Sequence, residues 1–165
     1  MVVRRLLPSD SLEHLTDLLH RAYKRSLDAG LNFVATTQTV EVTYDRCWRG
    51  TCFVAEIEGR VVGTISVYEA SPEDLTEAEY YRQPGIRYFG QFAVEPEFQG
   101  QGIGDALLDA AETHAKKSGG HELALDTAEP STGLLHYYTQ RGYELVGSVK
   151  WGSASYRSVI MSKKL

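Results

Sequence analysis

The run Gln99-Gly100-Gln101-Gly102-Ile103-Gly104 places a glycine at every second position. An apolar, strand-like stretch from Tyr88 to Val94 lies just upstream, and the helical pattern Asp105 to Lys117 follows at once. Such a run ties a strand to a helix through a turn that most side chains would obstruct. Glycine reaches left-handed backbone angles without steric cost, so the chain turns tightly and keeps its N–H groups uncovered. The helix behind it adds amides without helical acceptors and the positive end of its dipole. The junction therefore reads as a cradle for a phosphate-bearing ligand.

Two familiar phosphate loops do not fit. A P-loop needs Gly-x-x-x-x-Gly-Lys-Ser/Thr, and this run has neither the lysine nor the hydroxyl. A dinucleotide fingerprint needs Gly-x-Gly-x-x-Gly directly after a strand. Counted from Gly100, its third glycine falls on Asp105, and Glu95 to Phe98, with Pro96, separates strand from glycines. Asp126, about twenty residues on in a strand-like run, imitates a ribose-binding acid only in position. A glycine-rich turn with no ligand is the plain alternative.

The wider window Gln91-Phe92-Ala93-Val94-Glu95-Pro96-Glu97-Phe98-Gln99-Gly100-Gln101-Gly102-Ile103-Gly104-Asp105-Ala106-Leu107-Leu108 closely resembles the acyl-CoA-binding motif of the GNAT superfamily of N-acyltransferases. A second stretch, Ser131 to Gly142 and ending Tyr138-Thr139-Gln140-Arg141-Gly142-Tyr143, resembles that family's Asn-x-x-Ala-x-x-x-Tyr-x-x-x-Gly-Phe/Tyr element. It departs at two positions, with Ser131 where Asn is usual and Leu134 where Ala is usual. The resemblance implies a mixed α/β (α+β) fold. Its central sheet is mostly antiparallel, with one parallel, splayed strand pair and helices on both faces. It also implies acetyl-CoA as co-substrate and no metal.

Size and charge fit that reading. The 165 residues suit one domain with one substantial core, covering 1–165. A net charge of −5, with Lys and Arg scattered, argues against a nucleic-acid-binding surface. Met1-Val2-Val3-Arg4-Arg5 is too short in apolar length for targeting or membrane insertion. Cys47 and Cys52 read as reduced, buried thiols of a cytoplasmic protein, without metal-ligand company.

Along the chain, Val2 to Leu7 reads as a strand. Asp10, with Glu13 three residues on, is expected to cap a helix whose apolar face is Leu12, Leu15, Leu18, Leu19, Ala22 and Tyr23, with Gly30 ending it. Val40 to Trp48 reads as a second helix, and Thr51 to Glu58 with Val61 to Tyr68 as a hairpin around Gly59. An acidic connection, Ala70 to Gly85, leads to the strand, loop and helix described above, in which Ile103, Ala106, Leu107 and Ala110 form the expected buried stripe. Leu123 to Thr127 is expected to pair in parallel with the strand before the loop. Ser131 is expected to cap a helix running from Leu134 to Arg141. Tyr143 to Trp151 and Tyr156 to Met161 close the sheet as an antiparallel pair.

The resemblance assigns roles. The coenzyme's diphosphate would lie on the amides of Gly100, Gln101, Gly102, Ile103, Gly104 and Asp105, with Gln99 and, at the start of the last helix, Ser131 as further coenzyme contacts. Its pantetheine arm would follow Phe92, Ala93 and Val94, whose backbone can add a strand-like ligand while the side chains pack. Tyr138 would face the departing thiolate. The positions where some relatives carry a base hold Tyr88 and Gly90, so Glu56, Asp126 or His136 acting through water, or capture of an already neutral amine, stay open. Asn32, Tyr81, Tyr88 and Trp151 are expected to line the acceptor pocket. Glu73, Asp74, Glu77 and Glu79 would either attract a cationic amine or serve as a solubilising loop. The acceptor would be an amine of a small molecule, peptide or protein, and a homodimer is compatible with the resemblance. Competing readings are a catalytically weak acyl-CoA-binding sensor or interaction protein, and a nicotinamide-binding fragment.

Overall fold

In a computed structural model, which describes residues 1–70 and 78–165, a seven-stranded sheet carries the fold. The elements are β1 (Val2–Arg5), α1 (Leu12–Asp28), α2 (Val40–Trp48), β2 (Thr51–Ile57), β3 (Arg60–Glu69), β4 (Ile86–Val94), α3 (Ile103–Lys117), β5 (Glu122–Ala128), α4 (Thr132–Gln140), β6 (Glu144–Val149) and β7 (Ser158–Lys164). Strand order is β1-β2-β3-β4-β5-β7-β6. The expected parallel pair is present: β4 and β5 match Ile86↔Glu122, Arg87↔Leu123 and Tyr88↔Ala124, and the register ends there. The chain divides into two compact units, Met1–Tyr68 with Phe89–His114, and Glu69–Tyr88 with Ala115–Leu165.

The first unit is built on the β1-β2-β3 meander and three helices. Glu58 (φ 50°) and Gly59 (φ 79°) make a two-residue turn with both residues left-handed, which matches the twist of the β2–β3 hairpin. Leu15, Leu18 and Leu19 bury the apolar face of α1, as their spacing requires. Its cap differs from the sequence expectation. Ser11, not Asp10, accepts from the His14 N–H, because Asp10 is drawn away by a two-pronged bond from Arg4 and by the Leu7 N–H. The buried stripe of α3 also shifts, to Ile103, Leu107, Leu108, Ala111 and Ala115. At Gly63 a Cβ would meet Leu107 Cδ1 at 2.9 Å and Ala93 O at 3.0 Å, so α3 rests on bare backbone of β3.

In the second unit β5 pairs along its whole length with β7, from Glu122↔Lys164 to Ala128↔Ser158, and β7 separates β5 from the edge strand β6. The closing pair is shorter in β6 and reaches further along β7 than its sequence suggested, to Lys164. Ser131 occupies the N-cap of α4 but makes no side-chain cap bond, and the helix starts at Thr132 rather than Leu134.

Candidate active site

In the first unit, β4 ends in the 3₁₀ turn Pro96–Phe98, and the glycine run follows. Gly100 (φ 75°) and Gly102 (φ 80°) both adopt the left-handed region, and a Cβ on either would point into open space. The turn thus needs glycine for its backbone angles, not for want of room. The hydrogen-bond ladder of α3 begins at Ala106 N to Gly102 O, so the N–H groups ahead of it have no helical acceptor. Ile103 and Gly104 belong to the first turn of α3 rather than to the loop, and Asp105 is an exposed acid in that turn. Gln99 and Gln101 fold their amides back on Val94 O (3.1 Å) and Glu97 O (3.3 Å), which ties the loop to its own approach.

A buried brace lies under this loop. Glu95 is 2% exposed, and its N–H donates to Val62 O on β3 (2.8 Å). Arg21 of α1 grips both carboxylate oxygens (Nε to Oε2 3.0 Å), and Arg60 of β3 stands 3.5 Å away. Arg60 also pairs with Glu97 at 2.8 Å. Burial pushes the Glu95 carboxyl up, but the hydrogen bonds and charge of Arg21, with help from Arg60 and His14, outweigh it and hold it below the ordinary glutamate range.

Phe92, Ala93 and Val94 form the last stretch of β4. Ala93 is buried, Phe92 O accepts from the Tyr23 hydroxyl (3.0 Å), and Val94 O accepts from Gln99. Just before them Gln91 is left-handed (φ 49°) and 2% exposed. Its amide accepts from Gln38 Nε2 (2.8 Å) and donates to Ser66 Oγ (3.3 Å) and Cys47 Sγ (3.4 Å), and this network supports the unusual backbone angle. Sequence reasoning missed this residue, although a lone amide inside the apolar run Tyr88 to Val94 was a visible signal. At Gly90 a Cβ would meet Arg46 Nη2 at 3.2 Å, so a guanidinium lies beside this position. Glu56 is engaged by Arg4 at 2.7 Å. Asn32 is exposed, in the segment between α1 and α2.

In the second unit Tyr138 is 5% exposed and meets Tyr137 and Tyr143 edge to face, with centroids at 5.3 and 5.9 Å. Leu134, one turn before Tyr138 on the same side of α4, and His136 are exposed. Tyr81 and Tyr88 stack face to face, centroids 4.4 Å apart. The Tyr81 hydroxyl donates to Asp126 Oδ1 and the Trp151 Nε1–H to Oδ2, each at 2.8 Å. Burial first, and the Asp126 charge second, push Tyr81 well above its ordinary pKa, so it stays a neutral donor. Two residues read from sequence as pocket-lining, Tyr81 and Trp151, thus meet one carboxylate read as a candidate base, and a third, Tyr88, stacks on Tyr81. Glu79 pairs with Arg82 at the surface (3.6 Å), while Glu73, Asp74 and Glu77 lie outside the described residues.

The pattern of the acetyltransferase (GNAT) family matches residues 13–143, from the start of α1 to the tyrosine that ends the second motif. The chain belongs to the GNAT family. This GNAT acetyltransferase is 26% identical to the S-(2-succino)cysteine N-acetyltransferase of Bacillus subtilis, over 98% of its own length and 94% of that protein's. In fold it is similar to a GNAT family acetyltransferase from Elizabethkingia anophelis with acetyl-CoA bound (TM-score 0.69, 18% identity, 99% and 97% of the two chains). It is similar too to the ribosomal-protein-alanine N-acetyltransferase of Brucella melitensis (TM-score 0.69, 20% identity, 100% of each chain). Family, fold and enzyme class stand as the sequence led one to expect. Among the described residues no helix is long and apolar enough to cross a membrane, and no group of three His, Cys, Asp or Glu side chains is placed to hold a metal ion.

Proposed function

We propose that the protein is an N-acetyltransferase that passes the acetyl group of acetyl-CoA to a primary amine, by direct attack while both substrates are bound. One observation carries this reading: two left-handed glycines, each open to space, lead straight into the first turn of α3. Residues 99–105 include no Lys or Arg, so amides and helix dipole, rather than side-chain cations, would hold the diphosphate. The pantetheine arm would run along the backbone of Phe92, Ala93 and Val94, as an added strand, with its thioester carbonyl polarised by an amide. Ser131, uncommitted to capping, would serve as a contact from α4.

Tyr138 is assigned to the thiolate. A phenol of pKa ~10 facing a thiol of pKa ~8.5 makes complete proton transfer uphill by about 2 kcal/mol. Hydrogen bonding that stabilises the departing sulfur is therefore its main contribution. The nucleophile is the neutral amine, which for a pKa of ~10.4 is about one molecule in two thousand at pH 7. Turnover should accordingly rise with pH as the amine loses its proton. Two buried free thiols, Cys47 and Cys52, fit a cytoplasmic, reducing setting.

The test is calorimetric titration with acetyl-CoA, followed by a panel of small amines, amino acids and peptides monitored by thiol release. Saturable binding with amine-dependent release supports the reading. Saturable binding with no release from any amine would leave a coenzyme-binding protein without this activity.

A further inference from the structure

Three elements of the second unit meet at Asp126: β5, which carries it, the 3₁₀ turn Glu79–Arg82 through Tyr81, and the segment between β6 and β7 through Trp151; Tyr88 of β4 stacks on Tyr81. Both carboxylate oxygens are fixed, one by a phenol and one by an indole, each at 2.8 Å. Both donors are neutral. Among the described residues no Lys, Arg or His forms an ion pair with Asp126, whereas the Arg4, Arg21, Arg60 and Arg87 guanidiniums all pair with other carboxylates.

A carboxylate offers about four lone-pair directions, so roughly two remain after these bonds. Asp126 is half-buried, and a charge partly withdrawn from water gains most from a partner of opposite sign. The donors fix its rotamer in advance, so an incoming cation meets a carboxylate that need not reorganise.

We propose that Asp126 is the ammonium-recognition point of the acceptor subsite, binding a primary ammonium group through the lone pairs that Tyr81 and Trp151 leave open. This rests on the amine-acceptor reading above and names its chemical class. Cationic amines bind, and neutral molecules of the same shape do not. Tyr81 and Trp151 are positioning residues, because they act through the carboxylate they hold.

Trp48→Phe leaves Trp151 as the sole tryptophan, and its indole N–H resonance then reports on this point directly. The probe is n-butylammonium chloride, with n-butanol as neutral isostere at matched ionic strength, each titrated with and without coenzyme A. We expect a saturable shift of the Trp151 resonance with n-butylammonium and none with n-butanol. Asp126→Asn should weaken the response at least tenfold, and Tyr81→Phe, which keeps ring and carboxylate but removes the hydroxyl that holds Oδ1, should weaken it by a smaller factor while preserving the preference for n-butylammonium over n-butanol. No saturable shift in either state, an equal response to n-butanol, or an unchanged response in Asp126→Asn overturns the proposal. The alcohol comparison decides even if Asp126→Asn fails to fold. Coenzyme affinity is measured on the same samples. Coenzyme binding without an amine response sinks the subsite alone, and an amine response without coenzyme binding sinks the acetyl-transfer reading alone.

Discussion

Glu95 and Asp126 are both withdrawn from water at strands of the sheet, yet they are satisfied in opposite ways. Glu95, 2% exposed, is met by the guanidiniums of Arg21 and Arg60, and Glu97 shares Arg60. Two negative and two positive charges therefore cancel just upstream of a loop that would receive a diphosphate. Without the arginines those carboxylates would repel the ligand. Asp126 is met by two neutral donors, so its charge is left for something else. A carboxylate closed by fixed cations braces a fold, while one held by neutral donors is prepared for a partner. The contrast separates the donor half of the chemistry, which rests on backbone, from the acceptor half, which rests on side chains.

The sharpest way to break that contrast is at the backbone. Gly102 and Gly30 share φ 80°, and a Cβ on either meets nothing within 4 Å. Gly102→Ala and Gly30→Ala therefore carry the same conformational strain, on the order of 1–2 kcal/mol. Only the first should also weaken acetyl-CoA binding. Gly102→Glu, which adds a carboxylate, should weaken it roughly a hundredfold, about 2.8 kcal/mol, by calorimetry. Equal coenzyme affinity in all three proteins would remove the loop from donor binding.

The brace comes next in size. Glu95→Gln removes the charge from a buried position but leaves two arginines that are 45% and 48% exposed and can be solvated. The loss should be about 2 kcal/mol, below the usual cost of breaking a fully buried pair. At ~2–4 °C per kcal/mol that lowers the melting temperature by about 4–8 °C. The pH dependence follows from the sign of the shift. The folded carboxyl lies below the ordinary value of 4.5, so its stabilisation is complete above that value and is lost as pH falls through the folded pKa. The melting-temperature gap between wild type and Glu95→Gln should be constant near neutrality and close in acid. A gap that stays open however far the pH is lowered would mean that Glu95 acts by packing rather than by charge.

Smaller still is the effect at the thiolate. Tyr138→Phe keeps both edge-to-face ring contacts, to Tyr137 and Tyr143, and removes only the hydroxyl. Turnover should fall at least tenfold, about 1.4 kcal/mol, while coenzyme affinity stays the same. Unaltered turnover would take Tyr138 out of the chemistry.

Why one half was legible in the sequence and the other less so follows from the same contrast. Gly100 and Gly102 encode their own backbone angles, and the apolar stretch and helix on either side of them are local patterns, so the loop could be read residue by residue. The parallel partner Leu123 to Thr127 was legible from chain handedness alone. Asp126, Tyr81, Tyr88 and Trp151 lie up to seventy residues apart, and their meeting depends on β7 inserting beside β5, which no local spacing reveals. The same holds for Glu95, whose partners Arg21 and Arg60 come from α1 and β3. Gln91 shows the intermediate case: its polarity was visible, but its left-handed angle is imposed by Gln38, Ser66 and Cys47 from elsewhere.

The two helix caps give the finest test, because one letter hides two different roles. Ser11 and Ser131 both stand at N-caps, but only Ser11 accepts a hydrogen bond from its helix, from the His14 N–H at 3.1 Å. Ser11→Ala should cost about 1 kcal/mol, the usual value of a working cap, and leave coenzyme affinity alone. Ser131→Ala should leave the melting temperature within about 1 °C of wild type, because no cap bond is lost. If the Ser131 hydroxyl is kept for the coenzyme, the same change should weaken acetyl-CoA binding by roughly threefold to tenfold, the worth of one neutral hydrogen bond. A variant that melts early and binds normally would reverse the assignment, making Ser131 a cap and leaving the start of α4 with no part in donor binding.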